Sequence, residues 1–127
     1  MKKCSIIIRT RNESKYIGFC IRSLIRQTYN NFEIFLVDNN SEDDTIQKVK
    51  NLIDPIVIKT KKYLPGKSIN LGVSASNGDY IVVLSGHCVP KSKDWLYELV
   101  RSIESDKHLA AVYGRQLPLS HSKPEDK

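Results

Sequence analysis

Cysteine is scarce in this chain: Cys4, Cys20 and Cys88 are the only three among 127 residues, they form no C-x-x-C pair, and an odd number cannot all pair internally. A disulfide-stapled scaffold is therefore not expected, and reduced thiols in a cytoplasmic setting are. Long apolar runs are missing too. The run after Met1-Lys2-Lys3 stops at Arg9, too soon for a signal-peptide core, and Tyr80-Ile81-Val82-Val83-Leu84 falls far short of the roughly 20 residues of a membrane span. An exported or membrane-spanning chain is not expected, which leaves peripheral membrane association open. Two glycine signatures are absent as well. No G-x-G-x-x-G follows the first apolar run and no G-x-x-x-x-G-K-[ST] occurs, so dinucleotide and P-loop sites drop out. A phospho-receiver domain needs acids at the end of its first strand to hold magnesium, and Arg9 and Arg11 stand there instead.

What is present suits one soluble domain over residues 1–127, since single domains run to roughly 100–200 residues and the 40% hydrophobic, 27% charged composition is ordinary for globular proteins. The formal charge of +6 favours anionic partners. Lysines and arginines are scattered, however, without a long basic tract or interleaved aromatics, so no nucleic-acid stripe is expected.

The apolar pattern alternates between two periods. Cys4 to Ile8 is a β-branched run with the character of a strand buried on both faces. Tyr16, Ile17, Cys20, Ile21, Leu24 and Ile25 then recur at helical spacing. Glu33 to Val37 predicts a second strand, followed by a helix with Ile46, Val49, Leu52 and Ile53 inward that Pro55 stops. Ile56-Val57-Ile58 predicts a third strand, Ile69 to Ser76 a helical stretch closed by Asn77-Gly78, and Tyr80 to Leu84 a fourth strand. A helix through Trp95, Leu96, Leu99, Val100 and Ile103 and a fifth strand from Leu109 to Tyr113 complete the pattern, with 114–127 a loose end. Strands alternating with helices imply an α/β fold with a mostly parallel sheet covered on both faces.

Ligands of open parallel sheets bind beyond the carboxyl ends of the strands. The loops there are Arg9-Thr10-Arg11-Asn12-Glu13, Asp38-Asn39-Asn40-Ser41 and Ser85-Gly86-His87-Cys88, all dense in hydrogen-bonding groups after apolar strands. Plainer roles stand beside a binding role. Asp38 and Ser41 could cap the second helix, Thr10 and Asn12 could form turns, Glu13 could favour a helix dipole, and Lys67 could be a solvated surface lysine.

Three segments, Ser5 to Glu13, Leu24 to Ile34, and Val37 to Ser41 with Asp44-Thr45, closely resemble the opening of family 2 glycosyltransferases. Pro65 to Gly72, Ala75 to Ile81 and Asp94-Trp95-Leu96 continue the resemblance in the family's order, from about Cys4 to Tyr113. The resemblance implies a GT-A fold, a nucleoside-diphosphate sugar as donor, inversion by direct displacement, and an acceptor that could be a glycan, lipid or protein. It also implies that Thr10 and Glu13 lie beside the nucleoside, with Asn12 between them in the nucleotide-sugar-binding loop, that Asp38 accepts from the base, that Lys67 and Asn70 run past the ribose and phosphates, and that Ser85 and His87 belong to the same binding site.

Two departures accompany it. Family members usually carry Asp-x-Asp after the fourth strand to hold a divalent ion, magnesium or manganese, and Ser85-Gly86-His87 takes its place here. His87 could ligate manganese, donate to the diphosphate as a cation, or close a loop hydrogen bond; imidazole suits softer ions, which ranks the first role last. Arg9, where the family usually has proline, adds positive charge beside the same pocket. The second departure is length: the family's acceptor-binding half, with its catalytic base, has no counterpart here, so the domain reads as truncated and no base is assigned. A non-catalytic nucleotide-sugar-binding module is the alternative.

Overall fold

The computed structural model describes residues 1–62 and 64–114. Strands and helices alternate through them: β1 (Cys4–Thr10), α1 (Ile17–Ile25), β2 (Phe32–Asp38), α2 (Thr45–Lys50), β3 (Ile56–Lys59), α3 (Pro65–Ala75), β4 (Tyr80–Ser85) and α4 (Trp95–Glu104). The four strands are all parallel, in the order β3-β2-β1-β4. β1 sits in the centre because it is apolar on both sides. Cys4, Ile6 and Ile8 pack on one face with Ile17, Cys20, Ile21 and Leu24 of α1, Val49 of α2, and Leu96 and Val100 of α4. Ile7 packs on the other face with Phe35 and Val37, beneath α3.

α3 lies so close to the sheet that a Cβ at Gly72 would stand 2.5 Å from Ile7 Cγ2 and 3.2 Å from Val37 Cγ2. No side chain fits between. On the same face at the β4 edge, Ile81 and Val83 remain 40% and 47% exposed, because their register partners Ser5 and Ile7 lie under α3 while β4 itself does not.

The expected elements are present with five differences. α2 ends at Lys50, so Leu52 and Ile53, expected inward on that helix, pack against the core from beyond its end. Leu109 to Tyr113 forms no strand: Leu109 N–H bonds Asp106 O in a turn after α4, and an apolar run without a neighbouring strand has no partner for its backbone groups. α3 begins at Pro65, four residues before the apolar period starts, because proline's missing N–H would be unsatisfied in a first turn anyway. Gly78 does not close α3 in a left-handed conformation; the helix ends at extended Ser76. Its Cβ would stand 2.7 Å from Ser5 N, so it is glycine for close approach to β1. β1 runs on through Arg9 and Thr10, which the sequence pattern places in a loop. The expected loose end, Gly114 apart, lies outside the described residues.

Candidate functional site

The site follows from where three strands stop. The register sets Thr10 opposite Asp38 and Arg9 opposite Ser85. Successive strand residues point to opposite faces, so Thr10 and Asp38 meet on the α1 face and Arg9 and Ser85 on the α3 face. Thr10 Oγ1 donates to Asp38 Oδ1 at 2.7 Å, Ser41 Oγ donates to the same oxygen at 2.6 Å, and Ser41 N–H donates to Oδ2 at 2.9 Å. Asp38 is 1% exposed. A buried carboxyl is costly unless it is hydrogen-bonded, and here three of about four acceptor positions are used by the protein.

These contacts revise the helix-cap role. α2 starts only at Thr45, whose backbone N–H and hydroxyl both donate to Asp43 Oδ1. Asp38 and Ser41 close the β2–α2 loop instead, because residues 42–44 separate Ser41 from the helix. Burial pushes the Asp43 carboxyl up, but the donors from Thr45 and Ser14 outweigh it and hold the group below its ordinary range.

Asn12 joins two loops. Its backbone is left-handed, at φ 52°, a conformation asparagine tolerates better than most residues. Its N–H donates to Ser41 Oγ at 2.9 Å, and its Oδ1 accepts Glu42 N–H at 2.8 Å. Glu13 N–H donates to Thr45 Oγ1 at 2.9 Å and completes the clip. Asn12 is thus the turn-forming residue foreseen as its plainer role.

The β4–α4 loop comes in from the other side. Gly86 N–H bonds Arg9 O at 2.9 Å, and a Cβ there would stand 2.8 Å from Thr10 Cγ2 and 3.1 Å from Glu13 Cγ. Only glycine lets this loop press so closely on β1, and the approach brings His87 Nδ1 to 3.1 Å from Glu13 Oε1. Gln27, at the end of α1, holds the far end of the loop: its buried amide donates to Ser23 O and Ser92 O and accepts Leu96 N–H at the start of α4. The helical spacing places Gln27 with Arg22 and Arg26 on the outer face of the first helix, but α1 ends at Ile25 and Gln27, just beyond it, turns inward and is buried.

Together these elements enclose a cavity of about 210 Å³ lined by Arg9, Thr10, Arg11, Glu13, Ser85 and His87. A larger one, about 340 Å³, lies between Tyr29 and α4 near the amino end of the sheet, away from the polar strand ends. Of the expected residues, Thr10, Glu13, Ser85 and His87 line the smaller cavity, while Asp38 and Asn12 stand behind it as supports. Lys67 and Asn70 lie on exposed parts of α3 and do not line it. Arg11 does, although it was singled out only as a missing acid.

A divalent ion fits this donor set poorly. Glu13 is the one carboxyl of the lining, it already faces His87, and two guanidinium groups share the cavity. Among the described residues no group of three or more His, Cys, Asp or Glu side chains is placed to hold a metal, whereas magnesium and manganese favour oxygen-rich sites.

The fold and the strand-end site define a GT-A-type α/β domain, and the profile of "Glycosyl transferase family 2" matches residues 5–125. The chain belongs to that family. A dolichyl N-acetyl-alpha-D-glucosaminyl phosphate 3-beta-D-2,3-diacetamido-2,3-dideoxy-beta-D-glucuronosyltransferase of Methanococcus voltae is 32% identical over 115 residues, covering 84% of this chain and 36% of the relative. The structure of Staphylococcus aureus TarS 1-349 in complex with UDP-GlcNAc superposes with a TM-score of 0.73 at 27% identity, over 93% of this chain and 37% of that one. A mannosyltransferase from Pyrobaculum calidifontis, solved with GDP-Man and Mn2+, has a TM-score of 0.75 at 18% identity over 80% of this chain and 32% of that one, a likeness of fold. The chain spans 36% of the length of that Methanococcus voltae relative and 37% of a Haemophilus influenzae glycosyltransferase it also matches, little more than a third of each.

Proposed function

We propose that this chain is the donor-binding part of a glycosyltransferase and takes a nucleoside-diphosphate sugar at the carboxyl ends of β1, β2 and β4. The observation that carries the reading is the convergence of Thr10, Glu13, Arg9 and His87 on one small cavity, with Asp38 and Asn12 fixing its walls. Thr10 and Glu13 face the nucleoside. Asp38 positions the Thr10 hydroxyl and keeps one acceptor position on Oδ2 for an N–H of the base. Lys67 and Asn70, on α3, would meet only the outer part of a donor.

In the reaction an acceptor hydroxyl attacks the anomeric carbon, the bond to the diphosphate breaks, and configuration inverts. A base must take the acceptor's proton, and we assign none to a described residue. The acceptor is a glycan, lipid or protein, and assembly of a cell polysaccharide is the setting we favour. Among the described residues no helix is long and apolar enough to cross a membrane, and the three cysteines are free thiols. Both agree with work on the cytoplasmic side, where the net charge of +6 suits peripheral contact with an acidic membrane.

One observation favours a second reading, a nucleotide-sugar-binding module without turnover: Glu13, the carboxyl of the cavity, already faces His87. Calorimetric titration with UDP, GDP and dTDP tests the shared first step, and binding of none at millimolar concentration ends both readings. Product formation from a nucleotide sugar that binds separates the enzyme from the module.

A further inference from the structure

We infer that the protein's own guanidinium groups, Arg9 foremost, meet the donor's diphosphate in place of a divalent ion, so that diphosphate binding is metal-independent. The inference rests on the donor-site reading above and specifies how that site handles charge.

Arg9 and Ser85 are register partners, so parity of the two strands delivers both side chains to one face at the mouth of the cavity. Arg9 Nη2 donates to Ser85 Oγ at 3.3 Å. No carboxylate among the described residues lies within ion-pair distance of Arg9, and its Nε is the buried side-chain nitrogen left without a hydrogen-bond partner. An arginine held in place without a counter-anion is prepared to receive one. Its planar fork of donors matches phosphate oxygens in a bidentate fashion.

Arg11 lines the same cavity from the next turn of chain. The lining thus sets two guanidinium groups against one carboxyl, and Glu13 has His87 for a partner at 3.1 Å. A cation entering here would lack a cage of oxygens and be repelled by two fixed positive charges. A diphosphate would find unpaired donors and a complementary field. Ser85 and His87 are consistent with this exchange: a carboxylate at position 85 would pair with Arg9 and cancel the charge that the anion needs.

The experiment measures affinity of the full chain for inorganic pyrophosphate, and for UMP and UDP, GMP and GDP, and dTMP and dTDP, in EDTA and with manganese. In EDTA the diphosphate of the recognised base should bind about ten-fold tighter than its monophosphate, the gain expected of one added charge-assisted contact. Arg9→Gln should abolish that gain, and Arg9→Lys should keep part of it, which guards against a folding defect. The double change Ser85→Asp with His87→Asp should reverse the behaviour, weakening diphosphate binding in EDTA and restoring it with manganese. If no nucleotide is preferred but pyrophosphate still binds in EDTA through Arg9, the base site is wrong and the anion site stands. A diphosphate gain that appears only with manganese, or that survives Arg9→Gln, overturns the inference.

Discussion

On the face covered by α1, α2 and α4, Cys4, Ile6 and Ile8 of the central strand are buried within one continuous apolar cluster. On the other face α3 lies alone over Ile7, Phe35 and Val37, and β4 leaves Ile81 and Val83 open. The two halves of the site inherit that difference. Asp38 is on the thickly covered face, buried and held by three donors, whereas Arg9 is on the thinly covered face with one long hydrogen bond. A firmly held carboxylate stands where packing is dense, and a loosely held guanidinium where it is sparse.

The sharpest break of this contrast compares Leu24→Ala with Val83→Ala by urea unfolding. Leu24 is fully buried in the larger cluster, and its truncation should cost about 2–5 kcal/mol. Val83 is 47% exposed and should cost less than about 1 kcal/mol, since a surface methyl pair brings little new burial. Equal costs would mean that the thin face is covered in solution.

The next comparison sets Asp38→Ala against Ser85→Ala. Removing the buried carboxyl strands the Thr10 and Ser41 hydroxyls and the Ser41 N–H, for a loss of about 1–3 kcal/mol in stability together with weaker nucleotide binding. Ser85→Ala removes one part-buried bond and should cost no more than about 1 kcal/mol. Thermal melts and calorimetry on both variants check this, and an Asp38→Ala protein with unchanged stability and affinity would remove Asp38 from the site.

Within α3 itself, Gly72→Ala and Gly66→Ala should differ in sign. A methyl at 72 meets Ile7 Cγ2 at 2.5 Å, and such overpacking costs roughly 1–3 kcal/mol. A methyl at 66 meets nothing within 4 Å, so alanine's better helix propensity should add about 0.5–1 kcal/mol. Denaturant midpoints of the two variants give the signs directly.

These positions also show what could be read from the chain alone. Strand and helix periods gave every described element, because apolar spacing records which side of each element is buried. The Leu109–Tyr113 strand failed for the same reason in reverse, since composition cannot supply the neighbour that a strand must pair with. Thr10, Glu13, Ser85 and His87 were legible as polar groups at strand ends. Their division between faces was not, because it depends on register, and the supporting parts of Asn12 and Gln27 depend on which loops come to touch. Gly86 could be read as a turn residue only. Its closeness to Thr10 and Glu13 is a property of the assembled site.

The smallest expected effect concerns how the thin face is held at the amino end of its strands, where a polar node stands in for apolar packing. Glu33 Oε1 accepts Ser5 Oγ at 2.7 Å, Glu33 Oε2 lies 3.0 Å from Lys3 Nζ, and Ser5 Oγ accepts Gly78 N–H at 2.9 Å. Burial pushes the Glu33 carboxyl up, but the donors from Ser5, Lys3 and the Asn77 backbone, with the Lys3 charge, outweigh it and leave the group below its ordinary 4.5. A carboxyl lowered by folding adds stability above its unfolded value, and that contribution is lost as pH falls through the folded value. The Lys3 side chain is 37% exposed, so solvent screens the pair and the contribution should stay below about 1 kcal/mol. Melting temperatures of the wild type and Glu33→Gln, compared from pH 7 down to about pH 3, should converge only below pH 4.5. A gap between them that persists unchanged to the acid end would show that Glu33 acts through packing and neutral hydrogen bonds, and that charge plays no part in holding the thin face.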